Sequence, residues 1–421
     1  MTHSIPIERP WYRQLLVAAA AIGVAVGVLG LGYLGITGKA SEAIFGDPRT
    51  EAFSGEWWWI AVTATGGALV ALLRPRWKIP EEVPGGVAVI ESGTVDHRVA
   101  PSWIAIAAIS AVAGASLGPS FALVMMGGGL GSWVASRRWV HDDDNARLDV
   151  TMAGIAGGFG GAFTSPALGT IVVSELAPIP KDRYVEGILP QLIAATIAFA
   201  IYFGVVGTTF LNSFAVPVEE FQTWHLLVGV GLGAAASLLM IVFVLLVKGV
   251  QALADKLPQG LARGTICGAL VGFVAVALPL TLGAGNDQLS AVIDESASIG
   301  AWMLLAVLVG KMVAMALSLA TGFMGGNVLP MLFVGGTAGV MIHLTIPDIP
   351  YAIAVGAMLA ATPGAVIKAP IGLAIIAVLS VGLGPLTAAP VIIAVVTSHL
   401  LTTGIVTALK ARRASVPDVP T

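Results

Sequence analysis

Charge is what this sequence has least of. Only 11% of its 421 residues are Asp, Glu, Lys or Arg, less than half of the roughly 25% typical of soluble globular domains. With 57% hydrophobic residues and a mean hydropathy of +0.91, a soluble globular fold is excluded. Cysteine is nearly absent too. The single Cys267 rules out an internal disulfide and reads as a small buried hydrophobe. Histidine is sparse, and His225, His343 and His399 stand at no metal-ligand spacing. No nucleophile–base pairing, Walker loop, Ser-rich linker or run of like charge is found. No enzyme activity, cofactor, metal or nucleic-acid partner is therefore expected.

What the chain does have is apolar stretches, ten or more of them long enough to span or re-enter a bilayer, where a straight helix needs about 20 residues. They cover residues 15–36, 57–73, 103–114, 121–135, 150–173, 188–206, 226–247, 265–282, 301–320, 328–344, 351–361, 371–383 and 391–408. Several are too short to cross unaided. The chain reads as an all-α polytopic membrane protein with one transmembrane domain, residues 1–421, and no cytosolic regulatory domain. The first stretch lacks a small-residue cleavage signature and reads as an anchor, not a signal peptide. Arg9 and Arg13 precede it, Arg74, Arg76 and Lys78 follow the second stretch, and Lys410, Arg412 and Arg413 lie near the end. By the positive-inside tendency both termini are expected in the cytoplasm, with the protein in the cell's inner (plasma) membrane. Trp57, Trp58 and Trp59 suit a membrane–water interface or a packed helix end.

An internal echo divides the chain into halves of about 1–210 and about 211–421. In the first, SLGPSFALVMMGGGLG (116–131) is followed by FTSPALGTIVVSEL (163–176). In the second, GGNVLPMLFVGGTAG (325–339) is followed by IKAPIGLAIIAVLS (367–380). Each half thus has a glycine-flanked proline, an apolar run with paired glycines, then an Ala-Pro or Ser-Pro that leads another apolar run. The two prolines are 47 residues apart in the first half (119 and 166) and 40 in the second (330 and 370). Interrupted hydrophobic segments at corresponding positions of two halves point to a transport route near the bilayer midplane.

The interruptions carry a chemical implication. Unpaired backbone at membrane depth is tolerated only where protein buries it or a watery cavity meets it. The first turn of a helix leaves N–H groups without intrahelical partners, and the macrodipole adds about half a positive charge there. Glycines let an ion approach the backbone, and proline suits the first turn because its missing N–H is not needed. GGNVLP and SLGP therefore read as helix starts whose amides attract an anion weakly enough to release it.

These segments resemble the chloride channel and transporter (CLC) family. GGNVLPMLFVGGTAG is similar to its Gly-x-Phe-x-Pro segment, and GGAFTSPALGTIVVSEL to the helix with an Ala-Phe-Asn-Ala-Pro-Leu-Ala-Gly core. SLGPSF stands in the place of Gly-Lys/Arg-Glu-Gly-Pro, and IKAPIGLAI matches Ile-Arg-Ala-Pro. The resemblance implies an inverted repeat of tilted and partial helices and a homodimer with one pore in each subunit. It implies an inorganic anion, chloride foremost, held by backbone amides. Those map onto Ser116, Leu117 and Gly118 and onto Gly326, Asn327 and Val328, with Gly86 or Val87 at the spot in PGGVAVIESG (84–93) where the family motif has a serine.

The departures from the family pattern bear on mechanism. The external gating glutamate falls at Leu117 and the internal proton-transfer glutamate at Leu176, directly after Glu175. The inner tyrosine has no counterpart, since no Tyr follows Tyr351. Leucine cannot titrate, so passive anion conduction without proton coupling is expected. The alternatives are a coupled secondary transporter using Glu175 or a lysine, and a non-conducting structural relative. Glu175 and Lys311 are the candidate polar residues of the route, Lys311 and Lys368 reading equally as snorkelling side chains at helix ends. Asp287, Asp294 and Glu295 read as a solvated loop.

Overall fold

The computed structural model describes residues 7–47, 55–137, 144–207, 213–214 and 216–414, with side chains described as far as residue 410. In hydrocarbon each backbone N–H and C=O must be satisfied within the protein, which favours helix, and the described residues form seventeen α-helices. In the first half these are α1 (Pro10–Phe45), α2 (Trp59–Arg76), α3 (Gly86–Ser92), α4 (Ala100–Val112), α5 (Ser120–Ala135), α6 (Asp144–Ala162), α7 (Pro166–Leu176) and α8 (Tyr184–Val206). The second half holds α9 (His225–Ala254), α10 (Leu261–Ala277), α11 (Asn286–Asp294), α12 (Ser296–Ile299) and α13 (Ala301–Thr321). It continues with α14 (Val328–Thr345), α15 (Tyr351–Gly364), α16 (Pro370–Val381) and α17 (Pro385–Ala414). Helices α1, α8, α9, α13, α14 and α17 are long and apolar enough to cross a membrane; α4, α5, α7, α10, α15 and α16 are apolar but shorter.

The contacts of one half repeat in the other. Helix α1 packs on α8 as α9 packs on α17, and α5 packs on α6 as α14 packs on α15. Across the halves α2 meets α10 and α7 meets α16. The paired glycines of the echo explain the closest of these contacts. A Cβ on Gly127 would stand 2.1 Å from the carbonyl oxygen of Gly154, and one on Gly131 2.5 Å from that of Val150. On α14 the same holds for Gly335 against Met358 (2.3 Å) and Gly339 against Ala354 (2.5 Å). With no hydrophobic drive between helices in lipid, such backbone-to-backbone approach supplies the packing.

The apolar stretch 150–173 is divided at its Ser-Pro: α6 ends at Ala162, Thr164 takes φ 46°, and α7 begins at Pro166 behind Ser165. The Ser165 hydroxyl accepts the Leu168 N–H at 3.3 Å, so the break is capped locally. The stretch with Asp287 and Asp294 is helix α11, not a loop, because Leu289, Val292 and Ile293 form one buried face against α14. The expected boundary between the halves, near residue 210, and the side chains of Arg412 and Arg413 lie outside the described residues.

Candidate functional site at the meeting of two helix breaks

The breaks before α5 and α14 meet face to face. Gly118 N–H donates to the Gly326 carbonyl at 2.7 Å, and Gly326 N–H donates to the Gly118 carbonyl at 2.7 Å, forming an isolated antiparallel bridge. Two buried serines flank it in matching positions. Ser318 on α13 accepts the Ser116 N–H at 3.0 Å, and Ser110 on α4 accepts the Met324 N–H at 3.0 Å. Each serine precedes the bridge glycine of its own half by eight residues. Each hydroxyl also donates within its own helix, to Ile106 (2.8 Å) and Ala314 (2.7 Å). An unpaired buried N–H costs about 1–3 kcal/mol, and here each half satisfies amides that the other half's break sets free.

These bonds reassign the donors. The amides of Gly118, Gly326 and Ser116 are engaged across the halves, and Leu117 N–H donates to Ala115 at 2.8 Å. The expectation that these four face an anion therefore gives way. The amides without a partner among the described residues follow directly: Ser120, Phe121 and Ala122 on α5, and Asn327, Val328 and Leu329 at the start of α14. Pro330 has no N–H, and Met331 N–H already bonds to the Asn327 carbonyl at 3.0 Å.

Two cavities adjoin this crossing. The larger, about 600 Å³, is lined by Leu117, Pro119, Ser120 and Leu329 and also by the carboxylate-bearing Glu42, Asp47 and Asp287. The smaller, about 210 Å³, takes Gly86 and Val87 from the start of α3, Gly326, Asn327 and Val328 from the second break, and Leu176 from α7. Ser120 and Phe163 line both, so the wall the two cavities share, called the neck below, lies at the first residue of α5 and at Phe163. Of the expected site residues, Ser116 and Gly118 line neither cavity and serve the crossing itself. Leu117 faces the larger cavity and Leu176 the smaller. No titratable side chain lines the smaller one among the described residues.

Glu175 is placed differently from what its neighbour suggests. Its two carboxylate oxygens accept the N–H groups of Ile371 (3.0 Å) and Gly372 (2.7 Å) at the start of α16. That helix begins after Ala369, which has no side-chain acceptor, so a carboxylate from the other half caps it. Glu175 lines neither cavity. Lys311 does not snorkel. It lies in the middle of α13, 0% exposed, with Nζ donating to the carbonyls of Thr281 (3.1 Å) and Gly283 (2.7 Å) and 5.0 Å from the Phe333 ring centroid. Gly283 lines the larger cavity, so Lys311 braces that wall from behind. Lys368 is exposed and pairs with Glu91 at 3.0 Å.

Sequence reasoning passed over three residues that the geometry brings forward. Ser110 and Ser318 carried a signal, their equal distance from the two glycines. Ser120 carried another, as the first hydroxyl after Gly118-Pro119.

Residues 66–403 match the model of the family described as voltage gated chloride channel. A chloride/fluoride channel protein of Pseudomonas syringae pv. tomato is 28% identical over 256 residues, 58% of this chain and 54% of that protein. The match thus spans about half of that relative's length. The H(+)/Cl(-) exchange transporter ClcA of Vibrio vulnificus is 26% identical over 392 residues, 85% of this chain and 80% of its own. Among solved structures, a slow cyanobacterial Cl-/H+ antiporter superposes with a TM-score of 0.78 over 96% of this chain and 99% of its own, at 17% identity. That likeness is one of fold.

Proposed function

This chain belongs to the voltage-gated chloride channel family, and from that premise we propose that it conducts an inorganic anion, chloride foremost, passively through the neck at Ser120. The family consists of channels and transporters, not enzymes, and the chain is a multi-pass membrane protein of it. The uncoupled reading rests on one observation: Leu117 and Leu176 hold the two positions where the resemblance places proton-handling glutamates. They line the larger and the smaller cavity respectively. Neither can gain or lose a proton. The adjacent carboxylate, Glu175, is bound to the amides of Ile371 and Gly372.

Proton-coupled exchange is the second reading. It is favoured by the name of the Vibrio relative, an H(+)/Cl(-) exchanger, and by Glu175 standing one residue from the internal position. On a helix one residue is a rotation of about 100°, which turns Glu175 from the smaller cavity toward α16. The proposal extends to a single transmembrane domain over residues 1–421 and to a homodimer with one route in each subunit. It also sets the protein in the plasma membrane with both termini in the cytoplasm.

Chloride efflux from proteoliposomes tests the route. A Cβ at position 326 would stand 1.6 Å from Ser120 Oγ and 3.0 Å from Phe121 N, so Gly326→Leu fills the neck. Wild-type protein should release chloride when a potassium ionophore balances charge, and Gly326→Leu of unchanged elution volume should not. Equal efflux from both would remove the neck from the route.

A further inference from the structure

Ser120 is 5% exposed, and its Oγ has no hydrogen-bond partner among the described residues. The Oγ is not among the sealed side-chain atoms that lack a partner, so it opens on a cavity and its O–H is free to donate to what enters. Ser120 lines both cavities. It lies over the bare Cα of Gly326, and the unpartnered Phe121 N is 3.0 Å from the place a Cβ on that glycine would take. The matching first residue of α14 is Val328, so only one half brings a hydroxyl to the neck. Among the described residues whose side chains line the smaller cavity, Ser120 and Asn327 alone are polar. The Asn327 Oδ1 is buried without a partner, and its Nδ2 carries two N–H donors, so Asn327 is a second polar group at this wall, beside the Ser120 hydroxyl that reaches both cavities.

We propose that the Ser120 hydroxyl donates a hydrogen bond to the anion at the neck and sets the preference among anions. An anion entering the smaller cavity gives up water for walls of Val, Leu, Ile and Phe. That exchange is most unfavourable for small, strongly hydrated anions and least so for large, weakly hydrated ones. A directed O–H donor to a charged acceptor restores most to the small ones, since bonds to ions are about twice as strong as neutral ones. Ser120 thereby shifts selectivity toward fluoride and chloride and away from nitrate and thiocyanate. The inference rests on anion passage as proposed above, and binding separates it from that reading.

The test is calorimetric titration of chloride into the detergent-solubilised full chain, paired with liposome flux of chloride, fluoride, nitrate and thiocyanate. Ser120→Ala should bind chloride about tenfold more weakly, the loss expected for a hydrogen bond to an ion. Its flux order should move toward thiocyanate, and Ser120→Thr, which keeps a hydroxyl, should recover both. Chloride affinity in Ser120→Ala within twofold of wild type, or equal losses in the Ala and Thr variants, would overturn the assignment, as would absent chloride binding in the wild type. Wild-type binding that Ser120→Ala weakens, without any flux, supports the Ser120 donor while removing the transport reading.

Discussion

Glu175 and Leu117 separate stability from transport at the scale of single residues. Removing the Glu175 carboxylate leaves two N–H groups at the start of α16 unpaired. Glu175→Ala should therefore lower stability by about 1–3 kcal/mol, read as a lower thermal midpoint in detergent, while the pH profile of anion flux stays that of wild type. A variant as stable as wild type would show that α16 does not need this cap. Leu117 offers the converse experiment. A carboxylate introduced there enters the larger cavity beside Ser120, and its negative form opposes an approaching anion. A carboxyl group protonates near pH 4, so flux through Leu117→Glu should fall more than wild-type flux as pH rises from 4 to 7, Glu42, Asp47 and Asp287 lining the cavity in both. Parallel profiles would take position 117 out of the route.

At the scale of elements, the crossing of the two breaks is the feature to test. Ser110 and Ser318 each accept one amide from the opposite half. Ser110→Ala and Ser318→Ala should each cost about 1–3 kcal/mol, since each strands a buried N–H. Because both serve the same Gly118–Gly326 bridge, the double variant should depart from additivity by at least about 0.5 kcal/mol. Additive losses in a denaturation series would mean that the two halves of the crossing are independent. Much of this arrangement was legible in advance. Two glycine-proline breaks at matching places, each leading a helix with paired glycines, are read directly from 116–131 and 325–339. Which amides remain free was not, because the bonds that engage Ser116, Gly118 and Gly326 come from residues some two hundred positions away. The same limit explains Lys311. Along the chain it stands among apolar residues with no partner in sight, and its carbonyl partners, Thr281 and Gly283, are brought to it by folding. Helix α11 escaped notice because its apolar face is short and gains its meaning only against α14.

At the scale of the whole molecule, helices near both ends of the chain leave large apolar side chains uncovered, Val17 and Leu400 among them, as lipid or a second subunit requires. The proposed homodimer predicts twice the chain mass by light scattering in detergent, and flux that survives when one subunit carries Gly326→Leu in a linked pair. A monomer that still conducts would contradict it. Whether protons follow the anion decides between the two readings of function. The direct measurement is internal pH in proteoliposomes under an imposed chloride gradient, with protonophore absent. Passive conduction predicts chloride flux with no proton movement against its own gradient. Uphill proton movement driven by chloride, and lost in Glu175→Gln, would contradict it and make the protein an exchanger.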